Sequence, residues 1–316
     1  MALKADFFPG MSKADKAKLS ALGPVWNDNI SGHSQIVIDT YLPLLQKIEQ
    51  SSVIHKDCAY GPDPRHTLDV FRPPSKEPSP DQPRPIIVFV HGGGYTRGDK
   101  SLNGVVYDNV LHWFARNGFV GFNIEYRLAP QAQYPAGAMD LSASLEWITN
   151  NAASYNADPS RIIIVGHSAG GTHVASYMLD PIISTKPLPG IRGMVLLSAR
   201  LHADIHPENP NAKNVAAYFG EDAQILEQRS PLSFAHLCKV PVFVGIAQFE
   251  NKFLDQYGVA FALKIAQGTG KMPRLFQSQY HNHTSIVTHF GTEDNEFGNE
   301  ILEFIENDCF SRHVSG

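Results

Sequence analysis

The sequence predicts an α/β fold in which helices cover a mostly parallel β-sheet. Short runs rich in β-branched residues alternate with longer amphipathic or alanine-rich segments, as strands alternate with the helices that connect them. At 316 residues, with 43% hydrophobic and 10% aromatic residues, the chain is long enough to bury a substantial core. No second core is evident in the pattern, so we expect one domain over residues 1–316.

Eight runs predict strands that would form one sheet. In chain order they are SVIHKDCAY, TLDVFRP, PIIVFVH, FVGFNIEY, RIIIVGH, IRGMVLLS, VPVFVGIA and PRLFQSQY. Helices are predicted at about 137–154 and 252–267. The proline-rich stretch FRPPSKEPSPDQPRP lies between two of the strands, so we expect an exposed connection within the domain.

Two segments fall outside this alternation, and we expect them to form a helical cap over a site. They are residues 1 to about 50, where HSQIVIDTYLPLLQKIEQ has a helical pattern, and about 199–235. Aromatic residues in the two segments are candidates for lining a pocket. These are Phe7, Phe8, Trp26 and Phe219.

Composition argues against several classes of partner. The 26 Lys and Arg against 31 Asp and Glu give a net charge of -5, and no basic run resembles a nucleic-acid-binding stripe. No segment approaches the about 20 apolar residues of a membrane span, and the amino-terminal stretch lacks the apolar core of a signal peptide. The 3 cysteines are far apart, with neither metal-ligand nor disulfide spacing, which indicates reduced thiols in the cytoplasm.

The strongest chemical signal is RIIIVGHSAGG, a G-x-S-x-G pattern directly after a predicted strand. A nucleophilic serine must stand clear of the sheet on a sharp strand-to-helix turn, where glycines two before and two after allow close backbone approach. Ser168, between Gly166 and Gly170, meets this requirement. A plain strand-to-helix turn with an N-capping serine would give the same local pattern.

A second strand ends in three consecutive glycines, in PIIVFVHGGGY. Acyl transfer passes through a tetrahedral oxyanion, and each preorganised N–H donor aimed at that oxygen contributes about 3 kcal/mol in comparable sites. Gly92, Gly93 and Ala169 are the candidate donors of an oxyanion hole. A simple glycine turn would explain the glycines, but not their pairing with a serine turn on another strand. We expect His91 to hold this loop.

Together these motifs resemble the α/β-hydrolases, and among them the hormone-sensitive-lipase-like esterases and kynurenine formamidases. HGGGYTRGDK at 91–100, EYRLAPQAQYPAGAMD at 125–140 and GHSAGG at 166–171 occur in the order and relative spacing of that group. The resemblance covers about 65–310 and implies an α/β-hydrolase fold. His167 stands where the lipase-like branch usually has aspartate, which favours the formamidase-like side.

A catalytic serine of this fold is followed in the chain first by an acid and then by a histidine. QFENKFLDQYG, after the seventh predicted strand, offers Glu250 and Asp255 as acids. The resemblance places Glu250 where the family has its aspartate. We expect Asp255 to lie at the start of the next helix, where an acid is favoured electrostatically.

The stretch YHNHTSIV supplies two histidines, His281 and His283, after the last predicted strand. As a metal pair they would need a third and usually a fourth ligand, and no partner motif is present. As loop histidines they would leave Ser168 without a base. His283 lies farther out and precedes the N-cap residue types Thr284 and Ser285, so we predict that His283 is the base and His281 a supporting or solvated residue.

The predicted activity is hydrolysis of a carboxylic ester through an acyl-serine intermediate, with Ser168, His283 and Glu250 as the catalytic triad. This chemistry requires no cofactor and no metal, and its partner is a small-molecule ester or amide. An arylformamidase or another amidase would use the same machinery. A non-catalytic ligand-binding protein on the same fold is a third possibility.

Overall fold

An eight-stranded sheet runs through the part of the chain that the computed structural model describes, residues 7–47, 53–73, 82–183 and 187–311. The strand order is β1-β2-β4-β3-β5-β6-β7-β8. The strands are β1 Val53–Ala59, β2 Thr67–Arg72, β3 Arg84–Val90, β4 Val120–Ile124, β5 Ala157–His167, β6 Ile191–Leu197, β7 Val242–Phe249 and β8 Arg274–Asn282.

The sheet is mostly parallel, as predicted. β2 pairs antiparallel with both β1 and β4, and all other neighbours are parallel. Two strands are longer than expected. β5 begins at Ala157, which pairs with Arg84, and β8 continues to Asn282, which pairs with Phe249. His281 is therefore a strand residue, and His283 is the first residue beyond the strand.

Helices flank the sheet on both faces, and the two predicted ones correspond to α4 and α9. The helices are α1 Lys13–Leu22, α2 Ile30–Leu45, α3 Asp108–Arg116, α4 Ala136–Asn151, α5 Ala169–Leu179, α6 Ala212–Phe219, α7 Ala223–Arg229, α8 Pro231–Phe234, α9 Leu254–Thr269, α10 Ser285–Thr288 and α11 Glu296–Phe304. No helix in the described ranges combines the length and the apolar character needed to cross a membrane.

The central strands are buried on both faces, which explains why they read as continuous apolar runs. In β5, Ile162 and Ile164 belong to the core on one side of the sheet, whereas Ile163 and Val165 belong to the core on the other. The period of two follows from strand geometry. The parallel strands all end at one edge, where the loops after β3, β5, β6, β7 and β8 meet.

Both segments expected to form a cap contain helices, although residues 199–211 of the second segment are irregular. The first comprises α1, α2 and between them a 3₁₀ turn, Gly23–Asp28, which we call the amino-terminal turn. The second comprises α6, α7 and α8. Residues 1–6 and 48–52 of the first segment lie outside the described residues, as does 74–81 of the proline-rich connection.

Candidate active site

Ser168 occupies a sharp turn between β5 and α5, with φ 53° and ψ -118°. A side chain is rarely found in this conformation, and it lifts the serine off the sheet. The flanking glycines leave no room for a Cβ. At Gly166 it would lie 2.7 Å from the Gly170 carbonyl oxygen, and at Gly170 it would lie 2.1 Å from the Val90 carbonyl oxygen. The turn is therefore possible only with glycine at both positions.

His283 lies between Ser168 and Glu250. Its Nε2 is 3.0 Å from Ser168 Oγ, and its Nδ1 is 2.8 Å from Glu250 Oε2. An ionised carboxylate only accepts hydrogen bonds, so Nδ1 carries the proton and Nε2 accepts from the serine hydroxyl. The imidazole is thus in the tautomer that can take the serine proton.

Glu250 is itself held by two donors, neither of which sequence reasoning identified. Its Oε1 accepts hydrogen bonds from the Ser198 hydroxyl and from the Ala247 N–H, the latter at 2.8 Å. The other carboxylate oxygen is thereby left to His283. Asp255 lies in the first turn of α9, as expected of a helix-starting acid.

The glycine loop after β3 lies beside the serine. A Cβ on Gly92 would be 3.1 Å from the Cβ of Ser168. Gly93 has φ 134°, and a Cβ there would be 1.8 Å from the Arg97 carbonyl oxygen, so only glycine fits. Ala169 is the first residue of α5, where a backbone N–H has no acceptor within the helix. Gly92 and Ala169 are therefore next to Ser168, and Gly93 follows Gly92 in the glycine loop.

His91 is fully buried and braces this loop, in the position expected for it. Its Nδ1 lies 2.6 Å from the Gly92 carbonyl oxygen and its Nε2 lies 2.8 Å from Glu125 Oε1. Burial alone would raise the pKa of the Glu125 carboxyl, but the hydrogen bond from His91 and the positive charge of Arg65 hold that pKa below its usual value. The carboxyl of Glu125, at the far end of this contact, is therefore ionised at neutral pH.

His167, next to the serine, contacts the loop of the base. Its Nε2 lies 3.0 Å from the His283 carbonyl oxygen, and its Nδ1 lies 3.3 Å from the Tyr107 hydroxyl. A carbonyl only accepts, so Nε2 donates and Nδ1 accepts from tyrosine. Burial, reinforced by nearby His283, lowers the pKa of His167 far below its ordinary value. His167 is thus neutral in the folded protein.

His281 has its own partners. Its Nε2 is 3.1 Å from Asp294 Oδ2 and its Nδ1 is 3.0 Å from Ser285 Oγ. The side chain is 4% exposed, so the solvated alternative is wrong and the supporting one fits. The two histidines of YHNHTSIV therefore face different groups.

The aromatic pocket candidates lie mainly against the loops of the acid and the base. Phe8 packs edge-on against His281, with ring centroids 5.6 Å apart. Trp26 is 1% exposed and donates from Nε1 to Asn251 Oδ1 at 2.8 Å. Phe219 packs against Tyr95, which follows the glycine loop, with ring centroids 5.7 Å apart.

Comparison with known proteins agrees with this architecture. Residues 68–179 match the family model described as BD-FAE, a segment that includes the glycine loop and Ser168. Esterase LipC of Mycobacterium tuberculosis is 34% identical over 130 residues, 41% of this chain and 31% of that protein. Carboxylesterase NlhH of the same species is 41% identical over 87 residues, 28% of this chain and 26% of that protein. The chain spans less than a third of the length of these curated relatives.

A solved structure extends the likeness to nearly the whole chain. A bacterial heroin esterase superposes with a TM-score of 0.72 at 22% identity, covering 96% of this chain and 99% of its own. At that identity the likeness concerns the fold. The resemblance seen in the motifs is confirmed: the chain has the α/β-hydrolase fold, and its residues 68–179 match the BD-FAE family.

Proposed function

We propose that this protein is a serine hydrolase that cleaves a carboxylic ester through an acyl-serine intermediate. The observation that carries the proposal is the position of His283, within hydrogen-bonding distance of both Ser168 and Glu250. Two relatives that match parts of the chain are named an esterase and a carboxylesterase, which supports the same reaction.

In the first half of the proposed reaction, Ser168 Oγ attacks the ester carbonyl carbon while its proton passes to His283 Nε2. Glu250 stabilises the imidazolium, and the N–H groups of Gly92, Gly93 and Ala169 form the oxyanion hole for the negative oxygen. The bond from carbon to the alcohol oxygen then breaks, and His283 gives its proton to the departing oxygen. An alcohol leaves, and the acyl group stays on the serine.

In the second half, water replaces the alcohol. His283 takes a proton from the water while the water oxygen attacks the acyl carbon. The resulting oxyanion accepts hydrogen bonds from the same N–H groups. The bond to Ser168 Oγ breaks, the serine regains its proton from His283, and a carboxylic acid is released. The cycle requires no cofactor.

An arylformamidase or amidase reaction is the second candidate, and His167 is the residue that favours it through the motif resemblance. The same residues would act, with His283 protonating a departing nitrogen. Acyl esters, N-formyl amides and carbamates assayed side by side separate the two candidates. A ligand-binding role without turnover is less well supported, because the serine, histidine and acid are all retained.

The decisive experiment combines turnover with labelling. The protein should hydrolyse an activated ester, and a serine-directed phosphonate should modify Ser168. Ser168→Ala should lower turnover by about a millionfold and abolish labelling while the protein stays folded. Substantial turnover in that variant would rule out the acyl-serine mechanism.

We further propose a small-molecule substrate and a cytoplasmic location. The three cysteines are free thiols, which is the state that a reducing compartment maintains.

A further inference from the structure

The loop that carries Glu250 is hydrogen bonded by the amino-terminal turn at three consecutive residues. Asn27 Nδ2 donates to the Glu250 carbonyl oxygen at 3.0 Å, and Asn27 Oδ1 accepts from the Lys252 N–H at 3.0 Å. Trp26 Nε1 donates to Asn251 Oδ1 at 2.8 Å. Two adjacent residues, more than 220 positions earlier in the chain, thus bind the whole stretch from Glu250 to Lys252, which we call the acid turn.

Close packing reinforces these hydrogen bonds. Gly23 lies so near the Phe249 ring that a Cβ on the glycine would be 2.4 Å from a ring carbon. Trp26 is buried, and Phe249 packs against the same apolar cluster. His33 Nδ1 lies 3.1 Å from the Trp26 carbonyl oxygen, which ties the turn to α2. The amino-terminal turn therefore cannot slide along the acid turn without opening a buried contact.

The same segment also reaches the loop of the base. Ser34 Oγ, in α2, is 2.9 Å from Oγ1 of Thr284, the residue after His283. The His283 N–H donates to the Phe249 carbonyl oxygen at 3.2 Å, so the two loops are bonded to each other as well. The amino-terminal segment therefore contacts the two loops that carry Glu250 and His283.

We propose that Trp26 and Asn27 are positioning residues for the catalytic acid. The inference rests on the function proposed above. The amino-terminal segment would then have a second role besides covering the site. Glu250 follows the last residue of β7, and Phe253, three residues on, has φ 76° before α9 begins, so the acid turn lies outside regular secondary structure. Asn27 supplies hydrogen bonds that the acid turn cannot make within a helix or strand.

The consequence for catalysis is geometric. Catalytic groups displaced by about 1 Å can lose about a hundredfold in rate. Without Asn27, the Glu250 carbonyl oxygen and the Lys252 N–H would lose their hydrogen bonds to the amino-terminal turn, and the Glu250 carboxylate would be positioned less firmly. The imidazolium that forms on His283 would then be stabilised less, while the pocket that binds the ester would be unchanged.

The test is Asn27→Ala, with Asn29→Ala as the matched control. Asn29 lies two residues away in the same segment, and its side chain caps α2 by accepting from the Gly32 N–H at 3.1 Å. Asn27→Ala should lower kcat about tenfold with KM changed by less than about twofold, as removal of a supporting residue does. It should also shift the acidic limb of the kcat/KM profile to lower pH, because the imidazolium loses carboxylate stabilisation. Asn29→Ala should leave the rate and the pH profile unchanged.

Equal losses in the two variants, or an Asn27→Ala variant with the wild-type pH profile, would overturn the proposal. If Asn27→Ala does not fold, Trp26→Phe carries the test, since it keeps an aromatic ring and removes the donor to Asn251. A wild-type level of kcat and pH profile in Trp26→Phe would then count against the proposal. Absence of ester turnover and of Ser168 labelling in the wild-type protein would instead refute the proposed function.

Discussion

Acidification from pH 7 to pH 5.5 should lower the free energy of unfolding by about 4 kcal/mol, because several buried histidines are neutral in the folded protein. Burial lowers the pKa of His112 to about 4 and that of His173 to about 3. Burial and the neighbouring His281 lower the pKa of His289. Burial also lowers the pKa of His167 far below its ordinary value. These four side chains stay unprotonated when the pH falls to 5.5.

The sign follows from the unfolded chain, in which histidine has a pKa of about 6.5. Below that pH the unfolded state binds protons that the folded state does not bind, so the free energy of unfolding decreases as the pH is lowered. The four groups together cost about 5 kcal/mol between pH 7 and pH 5.5. Asp108 acts in the opposite direction, because burial raises its pKa to about 6 and it takes up a proton in the folded state first. This uptake of a proton offsets about 1 kcal/mol, which leaves a net loss of about 4 kcal/mol.

Urea unfolding at the two pH values, extrapolated to water, measures the difference directly. His173→Phe provides the internal test, since His173 lies among the rings of Tyr95, Tyr126 and Tyr218, and phenylalanine cannot titrate. Whatever its overall stability, this variant should lose about 1 kcal/mol less than the wild type on acidification. Unfolding free energies equal within about 1 kcal/mol at pH 7 and pH 5.5 would refute the reasoning.

Three further predictions concern the site, all measured with one activated ester. His283→Ala should reduce turnover about a millionfold, whereas His281→Ala should cost at most about tenfold; the reverse order would move the base to His281. Glu250→Gln should cost about 10⁴-fold because the imidazole loses its charged partner, against less than about tenfold for Asp255→Asn, and equal losses would reopen the choice of acid. His167→Leu removes a donor to the His283 carbonyl, so kcat should fall about tenfold with KM unchanged, and an unaltered kcat would show that His167 does not hold the base.

The fold was predictable from the sequence because its central strands carry their signal locally. β3 and β5 are buried on both faces and therefore read as the apolar runs IIVFV and IIIV. The ends of strands were less predictable. The extension of β8 through His281 depends on the pairing of Asn282 with Phe249, a contact between residues far apart in sequence. Nothing in the letters HN, the two residues that follow the predicted strand, indicates a strand.

The residues of the candidate site also differ in how far the sequence could predict them. Ser168 and its glycines were predictable because the steric demands of the turn fall on neighbouring residues. Ser198 was not, since its role comes from a hydrogen bond to a residue 52 positions later. Trp26 was assigned to a pocket because its aromatic side chain was the only local information. Its indole donor to Asn251 spans 225 positions and leaves no pattern in either segment.

The register of the parallel strands explains why these residues meet. His167 at the end of β5 pairs with Leu197 at the end of β6, so Ser168 and Ser198 leave the sheet side by side, both with positive φ. Phe249 at the end of β7 pairs with Asn282 at the end of β8, so Glu250 and His283 also leave side by side.

The strand pairs β5–β6 and β7–β8 thus bring two pairs of neighbouring residues to one edge of the sheet. At this edge lie the loops that follow the carboxyl ends of the parallel strands. The two residues that follow β5 and β6 contact the two that follow β7 and β8: Ser168 contacts His283, and Ser198 contacts Glu250. A shift by one residue in the pairing of β7 with β8 would remove Glu250 from His283 even if every motif in the sequence stayed intact. The geometry of the proposed triad therefore depends on strand pairing, and the motifs mark only the residues that the pairing brings together.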